Sequence, residues 1–163
     1  MPRKQPKPIT ASVLATRKRR VTRIARQYGF VGMIEYRHVY SHSGGAQYGL
    51  AVVEAEDLLT VYAEAFERDS NPNDFSLEAI IAHERGHQLF ARHPRLVRSL
   101  PSFWSEGTEE IVASLLGSLL VSDDVDRETL IYKATFDAVM RGVESDQATV
   151  LAARLRELLE KLL

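Results

Sequence analysis

Three residues within a short stretch of this 163-residue chain have the types and spacing of a metal-dependent hydrolytic site. His83 and His87 are four positions apart, so on an α-helix their imidazoles lie on one face. Glu84 follows the first histidine, where its carboxylate can reach a water held by the metal. The pattern H-E-x-x-H therefore predicts a zinc site in which the two histidines are ligands and Glu84 is the general base.

The segment that must position these residues has the periodicity of a helix with one buried side. The helix is expected over residues 76–93, with Ser76 as its N-cap and Pro94 ending it. Its apolar residues recur at helical spacing and are Leu77, Ile80, Ile81, Leu89 and Phe90. His83 and His87 lie near this apolar side, as a partly buried metal site requires.

Two residues compete to be the third zinc ligand. His93 lies ten positions after His83, at the spacing of the metzincin pattern, but Phe90 occupies the position where that pattern has glycine. Glycine permits the sharp turn that returns a third histidine to the metal, whereas phenylalanine favours continuation of the helix. Glu106 is the second candidate, separated from His87 by 18 residues.

The spacing between His87 and Glu106 resembles that of a known enzyme family. The run from His83 to His87, an 18-residue spacer and Trp104-Ser-Glu-Gly107 resemble the signature of the gluzincins, as in zinc aminopeptidases and thermolysin-like enzymes. The resemblance implies a zincin-like domain with one Zn2+ per chain, held by His83, His87 and Glu106. A weaker similarity is to the compact ImmA/IrrE-type peptidases, in which H-E-x-x-H is also followed by a glutamate-bearing helix rich in alanine and leucine. Their asparagine-containing motif is absent.

Further roles are assigned to residues after the second motif. Glu109 lies one turn beyond Glu106, from where its carboxylate could orient a histidine N–H. Glu110 is interpreted as a surface residue in the charge pattern of the helix. The gluzincin resemblance also implies a donor to the oxyanion. Tyr132 is the downstream candidate for this donor, although its more ordinary interpretation is a half-buried aromatic residue of a helix. Tyr40 and Tyr48 are the upstream alternatives.

Composition and periodicity predict an α+β fold with a small antiparallel sheet packed on a mainly helical body. With 45% hydrophobic residues the chain is expected to fold as a single domain over residues 10–163, preceded by a disordered basic tail over residues 1–9. The strands are expected at 34–40, 47–54 and 58–63, and two further helices at 123–143 and 145–163. Ser122 or Asp123 and Ser145 are the expected caps of these helices.

Charge is concentrated at the beginning of the chain. Nine basic and no acidic residues occur up to residue 34, although the net charge is −1. Most of these basic residues belong to an amphipathic helix predicted over residues 10–28. Such a helix could bind nucleic acid or an acidic partner, or neutralise the acidic remainder of the fold.

These patterns favour a zinc-dependent peptidase acting on peptides or proteins. The alternatives are a catalytically silent or non-peptidase zinc protein on the same scaffold, and a nucleic-acid or protein-binding module that uses residues 10–28. No apolar run approaches 18 residues, which excludes a transmembrane helix. The absence of an apolar signal segment favours a cytoplasmic location. The oligomeric state is left open by the sequence.

Overall fold

The computed structural model describes residues 4–41, 44–50, 56–67, 75–95 and 107–163. Within these ranges the α+β class is confirmed. The helices are α1 (Ala11–Gln27), α2 (Leu77–Arg92), α3 (Gly107–Leu120), α4 (Asp124–Met140) and α5 (Ser145–Leu162). The strands are β1 (Met33–Arg37), β2 (Ala46–Leu50) and β3 (Asp57–Tyr62), and a short 3-10 helix, Ala63–Phe66, follows β3.

The chain divides into two compact units. The first comprises Met1–Ile81 and contains α1 and the sheet, and the second comprises Ala82–Leu163 and contains α3, α4 and α5. The boundary between them falls within α2. His83, Glu84 and His87 therefore belong to the second unit, together with the helix that follows the zinc motif.

The sheet is mixed, whereas the sequence predicted an antiparallel one. Its strand order is β1-β3-β2, with β1 parallel to β3 and β2 antiparallel to β3. The alternation of residue types identifies a strand but does not specify its neighbour. β3 takes the central place because it is largely buried, with Leu59 and Val61 inaccessible to solvent, and β1 and β2 form the edges.

Helix α1 uses part of its basic surface to hold the first unit together. Arg17 donates a hydrogen bond to the hydroxyl of the buried Tyr36, and its guanidinium lies 4.7 Å from the ring centroid of Phe66. Arg26 donates to the carbonyls of Phe30 and Gly32. These two cations therefore link α1 to other parts of the first unit. Lys18 and Arg23 are exposed, and Arg19 is exposed and donates to Thr16 within α1.

The residues that precede the helices form N-caps, most of them at positions that the local sequence indicates. Thr10 caps α1 and Ser76 caps α2, each accepting a hydrogen bond from a backbone N–H three residues later. Ser76 as the N-cap of the zinc-motif helix is thereby confirmed, as is Asp123 at the start of α4. The residue that caps α5 is Glu144 and not Ser145, which is already helical.

Residues 4–10 have no regular secondary structure, and the carbonyl of Lys7 lies 2.6 Å from Nε2 of His38.

The second unit is a helical body built around α3. One side of α3 packs against α4 and α5 through apolar side chains. The fully buried members of this core are Val112, Leu115, Leu116, Ala134, Ala148 and Leu159. The opposite side of α3 carries Glu110, Ser114 and Gly117, which are small or polar and are directed at α2. In the described part of the chain, no helix is both long and apolar enough to cross a membrane.

Candidate metal centre

Two glycines bring α2 and α3 into backbone contact beside the zinc motif. A Cβ atom on Gly86 would lie 2.1 Å from the carbonyl oxygen of Ala113, and one on Gly117 would lie 2.9 Å from the carbonyl of Ala82. Neither position can hold a side chain unless the helices separate. The close approach fixes how far the side chains of α3 must reach to meet His83 and His87.

Replacing Gly86 by alanine is expected to destabilise the protein. Alanine is the better helix former by about 1 kcal/mol, so a net loss would report the clash with Ala113. Overpacking of this kind costs about 1–3 kcal/mol, which lowers the unfolding temperature by about 2–12 °C in a chain of this size. Thermal denaturation of the metal-free protein measures the change. Gly49→Ala is the control, because a Cβ atom there meets nothing within 4 Å, and equal unfolding temperatures for the two variants would contradict the prediction.

Three side chains converge at this helix contact. Nε2 of His83 lies 3.2 Å from Nε2 of His87. The carboxylate of Glu110 lies between them, with Oε2 3.1 Å from Nε2 of His83 and Oε1 3.1 Å from Nε2 of His87. One donor atom from each residue can be chosen so that all three lie within 4.8 Å of one another. Two imidazoles on α2 and one carboxylate on α3 thus form a group that could hold a metal ion.

The donor types and their spacing fit zinc. Zinc binds imidazole nitrogen and carboxylate oxygen at about 2.0–2.2 Å in a tetrahedral arrangement, in which neighbouring ligand atoms lie about 3.3 Å apart. The two Nε2 atoms lie 3.2 Å apart, close to this value, and a Glu110 oxygen completes a set of three donor atoms that all lie within 4.8 Å of one another. Because the group provides three protein ligands, a fourth position would be left for water or substrate, as in catalytic zinc sites.

Each histidine also has a partner for its second ring nitrogen. Nδ1 of His83 lies 2.9 Å from Oγ of Ser114, and Nδ1 of His87 lies 3.1 Å from Oε1 of Glu109. A histidine that binds metal through Nε2 carries its proton on Nδ1, where these oxygens can accept it. Glu109 thus occupies the position that its expected orienting role requires. Ser114 is fully buried, so its hydroxyl is held in place by the surrounding helices.

The buried hydroxyl of Ser114 gives a specific prediction about metal affinity. Ser114→Ala leaves Nδ1 of the buried His83 without this acceptor, and loss of such an outer hydrogen bond typically weakens metal binding about 10–100-fold. The dissociation constant can be measured by competition with a chromogenic chelator. Ser118→Ala is the matched control, because Ser118 is equally buried one turn further along α3 but contacts Leu115 and Arg156. An unchanged affinity in Ser114→Ala would show that Ser114 does not orient His83.

The electrostatics of the group favour charge on its members. Burial lowers the pKa of His87, but the hydrogen bond to Glu110, the charge of Glu84, the hydrogen bond to Glu109 and the charge of Glu110 together raise it to about 9. Hydrogen bonds from His83 and His87 hold the pKa of the Glu110 carboxyl well below its ordinary range, against the opposite effect of burial. In the metal-free protein a proton on His87 therefore offsets the charge of the carboxylates.

The proton on His87 can be observed directly. In protein stripped of metal we expect the ring resonances of His87 to titrate at a pKa of about 9, and the histidine to be charged at neutral pH. Glu110→Gln removes the charge and the anionic acceptor, so the pKa should fall towards the ordinary 6.5. NMR spectra recorded across the pH range measure both values, with Glu157→Gln on α5 as control. A wild-type pKa near 6.5 would exclude the contact with Glu110.

The exposure of the group is uneven. The side chains of His83 and His87 are 10% and 14% exposed, whereas those of Glu109 and Glu110 are 40% and 46% exposed. Glu84 is partly buried, and its charge acts on His87. The imidazoles are thus held by the protein, and the carboxylate side of the group is open to water and to small ligands.

The sequence-predicted residues have different outcomes. His83, His87 and Glu109 come together, and the charge of Glu84 acts on His87. Glu106, the alternative ligand, and the preceding residues of its motif, 104–105, lie outside the described residues. His93 is exposed beyond the end of α2 and is not in the converging group found among the described residues. Tyr132 lies on α4 and is 71% exposed. It is therefore more exposed than the half-buried helix aromatic that the sequence suggested.

Two residues of the group were missed or misinterpreted from the sequence. Glu110 was interpreted as a surface partner in the charge pattern of the helix; its side chain is 46% exposed, but the interpretation missed that its carboxylate contacts both histidines. Ser114 was not singled out. Glu110, Ser114 and Gly117 follow one another at intervals of four and three in a helix that is mostly apolar after its first turn. This stripe of polar and small residues was the available signal that α3 faces another helix at close range.

Comparisons with known proteins do not assign the chain to a family. No protein-family model matches it, and searches of curated proteins and of solved structures found no significant match. The chemistry of the protein is therefore inferred from the geometry of the group formed by His83, His87 and Glu110.

Proposed function

We propose that this protein is a zinc-dependent peptidase whose metal ligands are His83, His87 and Glu110. The observation that carries the proposal is the convergence of two Nε2 atoms and one carboxylate, with a partner for each remaining ring nitrogen. A group built only for stability would not need two histidines and three acidic residues around one point. Such a donor set, open on one side, is that of a hydrolytic zinc site.

The residues around the group have separable tasks. A bound zinc ion would supply a Lewis acid that makes water nucleophilic near neutral pH. Glu84 accepts the proton of the attacking water and passes it to the leaving amine. Ser114 and Glu109 hold the imidazoles in the tautomer that exposes Nε2. The half-exposed Glu110 leaves the carboxylate side of the group accessible to a peptide.

The position of Glu110 supports the weaker of the two family similarities. Glu110 lies near the start of α3, whose sequence GTEEIVASLLGSLL is rich in leucine and carries the partners of both histidines. This agrees with the glutamate-bearing helix of compact ImmA/IrrE-type peptidases, and Ser114 supplies a polar side chain although the asparagine-containing motif is absent. The 18-residue spacing to Glu106 is the competing assignment.

The experiment that tests the proposal combines metal analysis with hydrolysis. The purified protein should contain about one zinc per chain by elemental analysis and should cleave peptides from a mixed-sequence library, with cleavage products identified by mass spectrometry. A chelator should abolish cleavage, and added zinc should restore it. A protein that cannot be loaded with zinc would exclude the proposal.

The alternative is a zinc protein without hydrolytic activity on the same scaffold. Both proteins would bind zinc through the same residues, so metal content alone does not separate them. Turnover that is absent from zinc-loaded wild-type protein across the whole peptide library would favour the silent protein. Turnover that depends on Glu84 would favour the peptidase.

A further inference from the structure

Helix α4 has an apolar surface on the side that faces solvent. Its inner side packs on α3 and α5 through Leu130, Ala134 and Ala138, which are buried. The outer face is formed by Val125, Tyr132, Phe136, Val139 and Met140, with exposures of 70%, 71%, 49%, 38% and 69%. A surface helix normally directs charged residues outward, and a helix that is apolar on both sides is normally covered on both. The outer face of α4 therefore has the composition of an interface.

Most charged residues of α4 lie away from this outer face; the exception is the exposed Glu128, which lies at its edge one turn before Tyr132. Lys133 and Asp137 lie on the flank of the helix, where they form an ion pair of 3.0 Å with side chains 21% and 15% exposed. Arg127 pairs with Asp124 near the beginning of the helix. The middle of the outer face is left to Tyr132 and Phe136. This arrangement differs from isolated exposed apolar residues, which are common and carry no meaning.

The structure points to a second copy of this chain as the occupant: we propose that the outer face of α4 forms an isologous dimer with α4 of the partner in antiparallel orientation. Val125 and Val139 are each seven positions from Tyr132, so a two-fold axis at Tyr132 places Val125 of one chain against Val139 of the other. The same patch thereby becomes complementary to itself.

The charges at the ends of α4 favour this orientation. Acidic residues cluster at its start, where the side chain of Asp124 is 84% exposed, and Arg141 follows its end. Antiparallel copies bring Asp124 of one chain near Arg141 of the other, and they also align opposite ends of the two helix dipoles. Parallel copies would place Asp124 against Asp124.

The available area is sufficient for a specific contact. Two partly exposed aromatic side chains, each able to bury roughly 150–250 Å², and three aliphatic ones present on the order of 500 Å² per chain. Pairing two copies buries on the order of 1,000 Å² in total, which is about the lower limit for a specific interface. A reversible dimer of moderate affinity is the expected result, and it does not depend on the proposed peptidase activity.

The dimer is tested by sedimentation velocity at several concentrations of the full chain. The wild type should reach twice the mass of one chain, and Phe136→Glu should weaken association at least about 30-fold, the effect expected of an interface hot spot. Val31→Glu is the matched control, because Val31 is 52% exposed outside this face. A monomeric wild type at the highest concentration, or a dimer unaffected by Phe136→Glu, would overturn the proposal.

A charge exchange tests the antiparallel orientation of the two α4 helices. It also provides a test of the dimer if Phe136→Glu does not fold. Arg141→Glu alone should weaken the dimer by placing an acidic side chain near Asp124 of the partner. The double variant Asp124→Lys with Arg141→Glu should recover most of the association, because the opposite charges face each other again. Failure of the double variant to recover would overturn the antiparallel arrangement.

Discussion

Glu84→Gln is expected to lower the rate of peptide hydrolysis by about 10²–10⁴-fold, the usual contribution of a general base. Glutamine has nearly the same shape as glutamate but cannot accept the proton of the attacking water. Because Glu84 is not one of the three converging ligand residues, the variant should still bind one zinc per chain. The measurement pairs single-turnover hydrolysis of a cleaved peptide with elemental analysis of the same sample.

The controls for this variant separate chemistry from binding. Glu160→Gln makes the same substitution on an exposed position of α5 and should leave the rate unchanged. Loss of zinc together with activity in Glu84→Gln would show that the carboxylate holds the metal and does not act only as a base. Full activity with zinc retained would exclude Glu84 as the base.

The second large effect concerns the third ligand. Glu110→Ala removes the carboxylate that contacts both histidines and should weaken zinc binding by more than the 10–100-fold expected for the outer partners of the histidines. Glu106→Ala and His93→Ala should keep about one zinc per chain. Dissociation constants for all three variants, measured by chelator competition, provide the comparison.

The same set of variants can contradict the assignment. Loss of zinc in Glu106→Ala with full retention in Glu110→Ala would establish the gluzincin spacing and would move Glu110 to an orienting role. Loss in His93→Ala alone would favour the metzincin spacing. In each case zinc would still be bound by His83 and His87, so the proposed activity and the choice of third ligand are tested separately.

The sequence predicted those parts of the fold and site that depend on local pattern. The spacing of His83 and His87 requires only that the segment be helical, and the cap at Ser76 is a hydrogen bond within one turn. These features can be inferred from neighbouring residues alone. The α+β class likewise followed from the period of the apolar residues.

Features that depend on pairing between distant segments could not be predicted from the local sequence pattern. The parallel alignment of β1 with β3 arises because β1 pairs with a strand that does not follow it directly in the chain, and the residues of one strand do not specify that partner. The position of Glu110 beside His83 depends on how closely α2 and α3 approach, which Gly86 and Gly117 determine. The charged first turn of α3 resembles a solvated helix start, and only the spacing of Glu110 with Ser114 and Gly117 indicates a side that faces another helix.

The glycine contact between α2 and α3 also bears on whether the protein needs a metal ion in order to fold. The contact is made by backbone atoms, and α3 is anchored on its other side by Val112, Leu115 and Leu116. None of these contacts involves a ligand side chain. The helices that carry His83, His87 and Glu110 therefore do not depend on a metal for their packing. If the proposed zinc site is correct, the protein should fold without zinc, and zinc should be required for activity only.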